Sequence, residues 1–270
     1  MSKVIAVISG KGGVGKTTTV ANMGLGIAMG KKQCVVVDFD IGQRNLDMIL
    51  GLENRVIYDM VHVMDGEATL DQALIRSKTN RDFYFLPASQ TKDKSVLRSD
   101  KIEKLVNELR RRFEYVILDA PAGIESGFEH TIEFADTAIV VVNPEVSSIR
   151  DSDRAIGILD SKSKLAREGK EVKKYLIINR YDPIMVEKGE MLDTNDILDI
   201  LSIELLGIVP EDKKVIDASN QGKPIILDDK SEAGKAYKRI AKRMSGEKIA
   251  IIEPKATDKG IVGKIRELFA

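Results

Sequence analysis

Residues 10–17 read Gly-Lys-Gly-Gly-Val-Gly-Lys-Thr and match the pattern G-x-x-x-x-G-K-[ST]. The glycines let the backbone turn with positive φ and present successive N–H groups to phosphate oxygens. The run follows a strand-like segment and precedes a helical one, so a helix dipole points its positive end at the same anion. This arrangement predicts a nucleoside triphosphate site made of Gly10, Lys11, Gly12, Gly13, Val14, Gly15, Lys16, Thr17 and Thr18.

Two lysines lie within this loop. Lys16 is expected to bridge the β- and γ-phosphates, while the hydroxyl of Thr17 is expected to ligate Mg²⁺. Lys11 is unusual, because a like charge so near Lys16 is unfavourable without a polyphosphate between them. The alternative for Lys11 is a solvated loop lysine.

Short segments rich in Val, Ile and Leu alternate with segments of helical spacing along the chain. The apolar runs are continuous, which is typical of strands covered on both faces, as in a parallel sheet. The candidate strands are residues 4–9, 34–39, 83–86, 115–119, 137–143, 175–179 and 205–209. The pattern predicts an α/β fold with a doubly wound, mostly parallel sheet flanked by helices. We expect one body over residues 1–246, a linker over 247–259 and a terminal amphipathic helix over 260–270.

Composition limits the function classes. Lys plus Arg and Asp plus Glu both number 42, so a global polycation for nucleic acid is excluded. The single cysteine, Cys34, cannot form a disulfide or hold an iron–sulfur cluster within one chain. There is no signal-like start and no apolar run near the ~18 residues that a membrane span needs, so we expect a cytosolic protein.

Acidic residues end two of the candidate strands. Asp38 and Asp40 close one and Asp119 closes another. Open α/β sheets bind ligands at the carboxyl ends of their strands, so these carboxylates are candidate Mg²⁺ ligands beside the phosphates. The alternative for each is a helix cap or a turn residue. How Asp38 and Asp40 divide their roles stays open.

The last eleven residues form an apolar stripe when they are wound as a helix. Lys264 and Arg266 border the stripe, as in a helix that lies flat on an anionic bilayer. The alternative is packing on the protein's own body. The predicted membrane-binding residues are Ile261, Val262, Lys264, Ile265, Arg266, Leu268 and Phe269. One such helix binds marginally, whereas two in a dimer gain roughly 10²–10⁴ by avidity.

The order Lys-Gly-Gly-x-Gly-Lys-Thr-Thr resembles the deviant Walker A motif of the MinD/ParA family of P-loop ATPases. The resemblance implies ATP as the nucleotide, and that Lys11 reaches across a nucleotide-sandwich dimer to act with Lys16 in catalysis. It assigns Asp40 to orienting the attacking water and Asp119 to the metal. It also implies contacts with the adenine or its surroundings from Asn179, Arg180, Pro210 and Asp212. An ordinary turn asparagine is an equal alternative for Asn179.

Residues 38–47, 121–125, 143–154 and the terminal helix are similar to the septum-site-determining branch of that family. This similarity implies an ATP-dependent homodimer on the cytoplasmic face of the bacterial inner membrane. Its implied partners are a MinC-like inhibitor of division, a MinE-like activator and anionic phospholipid. Ser148, Asp151 and Asp153 are candidate partner contacts. The alternative for the two acids is stabilisation of a helix N-terminus.

Three other functions share features with this sequence. A ParA-like ATPase that partitions DNA would use one basic face of a helix, formed by Lys235, Lys238, Arg239, Lys242 and Arg243. Such a face is more often the solvated side of a packed helix. A reductase-type iron protein needs two cysteines per chain for a bridging cluster, which Cys34 alone does not supply. An adaptor that uses ATP only structurally would show no turnover.

Overall fold

A computed structural model describes residues 2–92, 94–124 and 127–256. Within these ranges one eight-stranded sheet forms the centre of the molecule. The strands are β1 Lys3–Ile8, β2 Cys34–Asp38, β3 Ile75–Arg76, β4 Phe83–Leu86, β5 Tyr115–Asp119, β6 Thr137–Val142, β7 Lys173–Tyr181 and β8 Glu204–Pro210. Their order is β3-β4-β2-β5-β1-β6-β7-β8. All neighbours pair in parallel except β3 with β4, which confirms the predicted fold class.

Helices cover both faces of the sheet. They are α1 Lys16–Met29, α2 Leu46–Leu50, α3 Met60–Asp65, α4 Leu70–Ala73, α5 Ser99–Arg112, α6 Phe128–Ile132, α7 Val146–Lys162, α8 Lys164–Arg167, α9 Pro183–Glu187, α10 Thr194–Leu201, α11 Lys214–Asn220 and α12 Glu232–Met244. Three single-turn 3₁₀ helices lie at Glu53–Arg55, Lys94–Val96 and Ile225–Leu227. None of the helices in the described ranges is long and apolar enough to cross a membrane.

Alternate strand residues pack into separate cores. Ile5 and Val7 of β1 join the cluster beneath α1 and α12. Ala6 and Ile8 join the cluster beneath α6, α7 and α10, and Val4 joins the one beneath α5. Each fully buried aliphatic side chain contributes about 1.5–3 kcal/mol relative to exposure. The continuous apolar runs in the sequence follow from burial on both faces.

Strands β1, β2, β6 and β8 differ from their predicted bounds by one residue at one or both ends, and the larger differences are at β3 and β7. β3 was not predicted, because two residues paired with the edge of β4 carry no periodic signal. β7 runs on to Tyr181, beyond the predicted end at Asn179. The carboxyl end of β7 is irregular, since Arg180 has φ 55° and the register with β8 shifts between Ile178 and Tyr181.

The chain beyond α12 returns to the body. Arg243 donates hydrogen bonds to the carbonyl oxygens of Ile249 and Ala250, and Glu253 accepts from two side chains of the body. The first part of the predicted linker over 247–259 is therefore fixed to the body. The predicted helix over 260–270, with its membrane-binding residues, lies outside the described residues.

Two helical glycines should respond oppositely to substitution by alanine. A Cβ at Gly24 of α1 would lie 2.5 Å from Cγ1 of Val36 and 3.0 Å from Cε2 of Phe83. Gly24→Ala should therefore lower the free energy of unfolding by about 1–3 kcal/mol. Gly157 of α7 has no atom within 4 Å of that position, so Gly157→Ala should raise it by about 0.5–1 kcal/mol. Urea denaturation measures both; stabilisation by Gly24→Ala would contradict the close packing at Gly24, and destabilisation by Gly157→Ala would contradict the open space at Gly157.

Candidate nucleotide-binding site

Three adjacent parallel strands end at the site. β1 lies between β5 and β6, and β2 pairs with β5 on the other side. Asp119 at the end of β5 is in register with Asp38 at the end of β2 and with Val7 of β1. The predicted phosphate loop follows β1 directly, so the two buried carboxylates lie at the strand ends beside it.

The phosphate loop has the predicted backbone. Gly13 and Gly15 have φ of 77° and 95°, a left-handed conformation that favours glycine. Gly10 is required for a different reason, because a Cβ there would overlap the backbone of Asp151 in α7. The amide of Gly10 donates to Oγ of Ser152, 3.2 Å away, which fixes the loop to that helix.

Lys16 is buried inside the site, with only 6% of its surface exposed. Its Nζ donates to Oγ of Ser9 over 3.1 Å, and that hydroxyl donates to the carbonyl oxygen of Lys11 over 2.7 Å. Burial lowers the pKa of Lys16, although the charges of Asp119 and Asp40 act in the opposite direction. The ammonium is thus positioned among acidic groups with little water. Ser9 was not predicted from the sequence, although it directly precedes the loop.

Asp38 and Asp119 are both 1% exposed. The amides of Asp40 and Leu46 donate to Asp38 over 2.9 and 3.4 Å. Burial and the nearby charge of Asp119 raise the pKa of Asp38 well above its usual range. Burial also raises the pKa of Asp119 to about 7, although Lys16 and a hydrogen bond from Thr17 oppose the shift.

The donor set fits a magnesium ion shared with phosphate. Oδ1 of Asp119 is buried and accepts no hydrogen bond from the described residues, and the Thr17 side chain bonds to the same carboxyl group. Within those residues no cluster of three or more His, Cys, Asp or Glu could hold a metal. Mg²⁺ in nucleotide sites is bound by one or two protein oxygens together with phosphates and water, so such a cluster is not required.

Lys11 is held within its own chain. Its Nζ donates to Oε2 of Glu145 over 3.0 Å and to Oγ of Ser147 over 3.1 Å, and 43% of its side chain is exposed. Its predicted role at a partner's phosphates requires it to leave these two groups. Both partners lie where α7 begins, and the sequence did not single them out because they are more than 130 residues away along the chain.

The strand ends of β7 and β8 supply the predicted base-side residues. Nδ2 of Asn179 donates to the carbonyl oxygen of Val14 over 2.7 Å, so this side chain contacts the phosphate loop itself. Arg180 follows it with an exposed side chain. Pro210 ends β8, and the carboxylate of Asp212 accepts from Oγ of Ser231 over 2.6 Å. An adenine contact by these residues stays a prediction.

The segment over residues 120–123, directly after β5, lies beside the same loop. A Cβ at Gly12 would lie 3.5 Å from Cβ of Ala122, and a Cβ at Gly123 would lie 3.8 Å from the carbonyl oxygen of Gly10. Gly123 also has φ 71°. The segment after β5 therefore lies so close to the glycine turn that a side chain at Gly12 or Gly123 would contact it.

The predicted partner surface lies on α7. Asp153 is exposed and Asp151 is half-buried. Ser148 is fully buried, and its Oγ accepts from the amide of Asn143 over 3.2 Å. A direct partner contact by Ser148 is therefore wrong for this conformation, because the hydroxyl is used to close the turn after β6.

Comparisons with known proteins agree along the whole chain. The family model described as an AAA domain matches residues 2–165. The septum site-determining protein MinD of Helicobacter pylori (strain ATCC 700392 / 26695) is 52% identical over 270 residues, 100% of each chain. The solved MinD cell division protein of Aquifex aeolicus is 42% identical with a TM-score of 0.83, covering 93% of this chain and 100% of that one. The MinC:MinD cell division protein complex of the same organism is 42% identical with a TM-score of 0.82, covering 94% and 100%.

Replacing Asp119 should change how stability depends on pH in nucleotide-free protein. The pKa of Asp119 is about 7 in the fold against 3.8 ordinarily, so its protonated form stabilises the fold at low pH. That contribution is lost as the pH rises from about 4 to about 7. The free energy of unfolding of Asp119→Asn should thus rise relative to that of the wild type by roughly 1–3 kcal/mol when the pH is raised from 5 to 8. Chemical denaturation at both pH values measures this gain. The exposed control Asp199→Asn should show none, and an equal effect of Asp119→Asn at both pH values would contradict the shift.

Proposed function

Because the chain belongs to the MinD family of septum site-determining proteins, we propose that it is a nucleotide-switched membrane ATPase that helps to place the division septum. The chain is a P-loop ATPase that uses ATP and Mg²⁺. The observation that carries the proposal is the glycine loop with two lysines, whose buried Lys16 lies among Asp40 and Asp119. Its proposed location is the cytoplasmic face of the bacterial inner membrane, as a peripheral protein.

The phosphate loop binds and orients the triphosphate. Its amides and those at the start of α1 donate hydrogen bonds to the phosphate oxygens, and Lys16 places one cation at the β- and γ-phosphates. Thr17 and Asp119 would hold Mg²⁺, with Asp38 behind them. Bound Mg²⁺ neutralises charge on the phosphate oxygens. Because Lys16 is already desolvated, little water has to be reorganised as charge develops.

Asp40 and Lys11 complete the proposed chemistry. Asp40, after the end of β2, orients the attacking water toward the γ-phosphate. Lys11 leaves Glu145 and Ser147 and supplies a cation to the phosphates of the partner protomer, as an arginine finger does. Dimerisation and catalysis are then coupled, because each site lacks one cation until two protomers meet.

The dimer presents two terminal segments to the bilayer, which converts marginal binding into stable attachment. We propose that the ATP-bound dimer recruits a MinC-like inhibitor of division and that a MinE-like activator discharges it by stimulating hydrolysis. The MinC:MinD complex of Aquifex aeolicus, whose chain resembles this one, supports the first partner. Asp151 and Asp153 on α7 are the proposed contacts.

A DNA-binding function through the basic face of α12 has weaker support. Lys235 pairs with Glu232 and Lys238 pairs with Asp229. Arg243 is used by backbone carbonyl oxygens. The opposite face of the helix is buried, so α12 is a packed helix whose cations are partly neutralised.

Asp40→Ala should stop turnover and spare binding. Loss of the water-orienting carboxylate should lower kcat by about 10²–10³ while fluorescent ATP analogues still bind. Phosphate release and fluorescence titration measure the two quantities. Asp71→Ala, which removes an exposed acid, is the matched control and should leave both unchanged. Normal turnover by Asp40→Ala would contradict the assigned role.

Vesicle co-sedimentation tests the membrane switch. The full chain should pellet with vesicles of phosphatidylethanolamine and phosphatidylglycerol in ATP and stay in solution in ADP. A chain that ends at Gly260 should not pellet with either nucleotide, because the proposed amphipathic helix has been removed. Lys11→Ala should bind ATP and fail to pellet.

Two results would contradict the switch: equal pelleting in ATP and ADP, or pelleting that survives the truncation. DNA in place of vesicles, in the same buffers, tests the partitioning alternative. ATP-dependent pelleting with DNA would favour that alternative.

A further inference from the structure

The segment over residues 249–253, here called the strap, is anchored at its first two residues. After α12 the chain turns at Gly246, whose φ is 97°. The guanidinium of Arg243 then donates hydrogen bonds to the carbonyl oxygens of Leu206, Ile249 and Ala250. One side chain thus ties the strap to the end of α12 and to strand β8.

The other end of the strap is anchored by Glu253. Its Oε1 accepts from Oη of Tyr181 over 2.8 Å and from Oγ1 of Thr194 over 2.6 Å. Tyr181 and Thr194 are buried, and charge-assisted hydrogen bonds of this kind are about twice as strong as neutral ones. Burial and the bond to Glu253 raise the pKa of Tyr181 to about 12, so its hydroxyl remains a donor at neutral pH.

Two isoleucines lie between the anchors and face solvent. Ile251 is 40% exposed and Ile252 is 53% exposed. A flexible linker would sample many positions. Here Ala250 and Glu253, on either side of the two isoleucines, are hydrogen-bonded to the body. The fold therefore holds two adjacent branched side chains at the surface, where an apolar partner can cover them.

An exposed lysine lies on each side of these isoleucines along the chain. Lys248 and Lys255, both exposed, bracket them, whereas the acids Glu247 and Glu253 lie at the turn and in the anchor. Cations beside apolar side chains are the chemistry that binds anionic headgroups and the acyl boundary. Residues 254–260 can span at most roughly 25 Å, so the strap and the predicted terminal helix can reach one bilayer.

We propose that Ile251 and Ile252 are a second lipid-contacting element, inserted into an anionic bilayer beside the terminal helix and positioned by Arg243 and Glu253. This inference rests on the proposed membrane attachment. The strap would fix the distance between the body and the lipid surface.

The full chain in ATP, titrated with phosphatidylglycerol-containing vesicles, tests this surface. Ile251→Ser with Ile252→Ser should raise the lipid concentration for half-maximal pelleting about tenfold, and Ile252→Ser alone about threefold. Ile57→Ser changes an isoleucine that is 79% exposed elsewhere, and it should cause no shift. Tyr181→Phe removes one anchoring hydroxyl and should cause a shift of about threefold. ATP turnover without vesicles should be the same in all variants.

A spectroscopic test is available because the chain contains no tryptophan. With Ile252→Trp, emission should move to shorter wavelength on vesicles in ATP, and brominated lipid should quench it. Ile57→Trp should show neither change.

The outcomes separate the two proposals. If the wild type pellets in ATP and the double serine variant pellets equally well, the strap inference fails and the membrane switch stands. If the wild type does not pellet, the proposed membrane attachment fails. If the double variant loses ATP-dependent dimerisation in light scattering, the isoleucines contact a second copy of the chain, and the lipid assignment is wrong.

Discussion

The burial of Lys16 at the end of three parallel strands determines the character of the site. A desolvated ammonium is stable there because Asp119 and Asp40 supply opposite charge and Ser9 supplies a hydrogen bond. The same burial raises the pKa values of Asp38 and Asp119. Each group is costly alone, and together they supply a cation for phosphate oxygens and carboxylates for a metal ion. The parallel register of β2 with β5 brings the two carboxyl groups into this cluster.

The sequence was sufficient for features that are local along the chain. Glycine spacing in residues 10–17, carboxylates at strand ends and continuous apolar runs led to the loop, the acidic edge and the parallel sheet, because each reflects the conformation of neighbouring residues. The two-residue strand β3 was too short to leave a periodic signal. Glu145 and Ser147 were missed as partners of Lys11 because the fold, and not their spacing, brings them together.

Two further differences concern polar residues. Ser148 was expected at a partner surface because residues 143–154 are similar to that part of the septum-site-determining branch, but it is buried where α7 meets the turn after β6. The predicted linker begins as the strap because Arg243 and Glu253 supply bonds to a segment whose composition resembles a loop. In both places side-chain hydrogen bonds fix the backbone, and composition alone does not show them.

Because Gly10 has no Cβ, the phosphate loop and α7 pack backbone against backbone and move together. The two backbones are in contact, and the amide of Gly10 is bonded to Ser152 in the middle of that helix. The outer side of the helix carries Asp153 into solvent. No side chain separates the two backbones at Gly10. A displacement of α7 therefore also displaces the glycine turn. A protein that binds the outer side of α7 can therefore shift the phosphate loop.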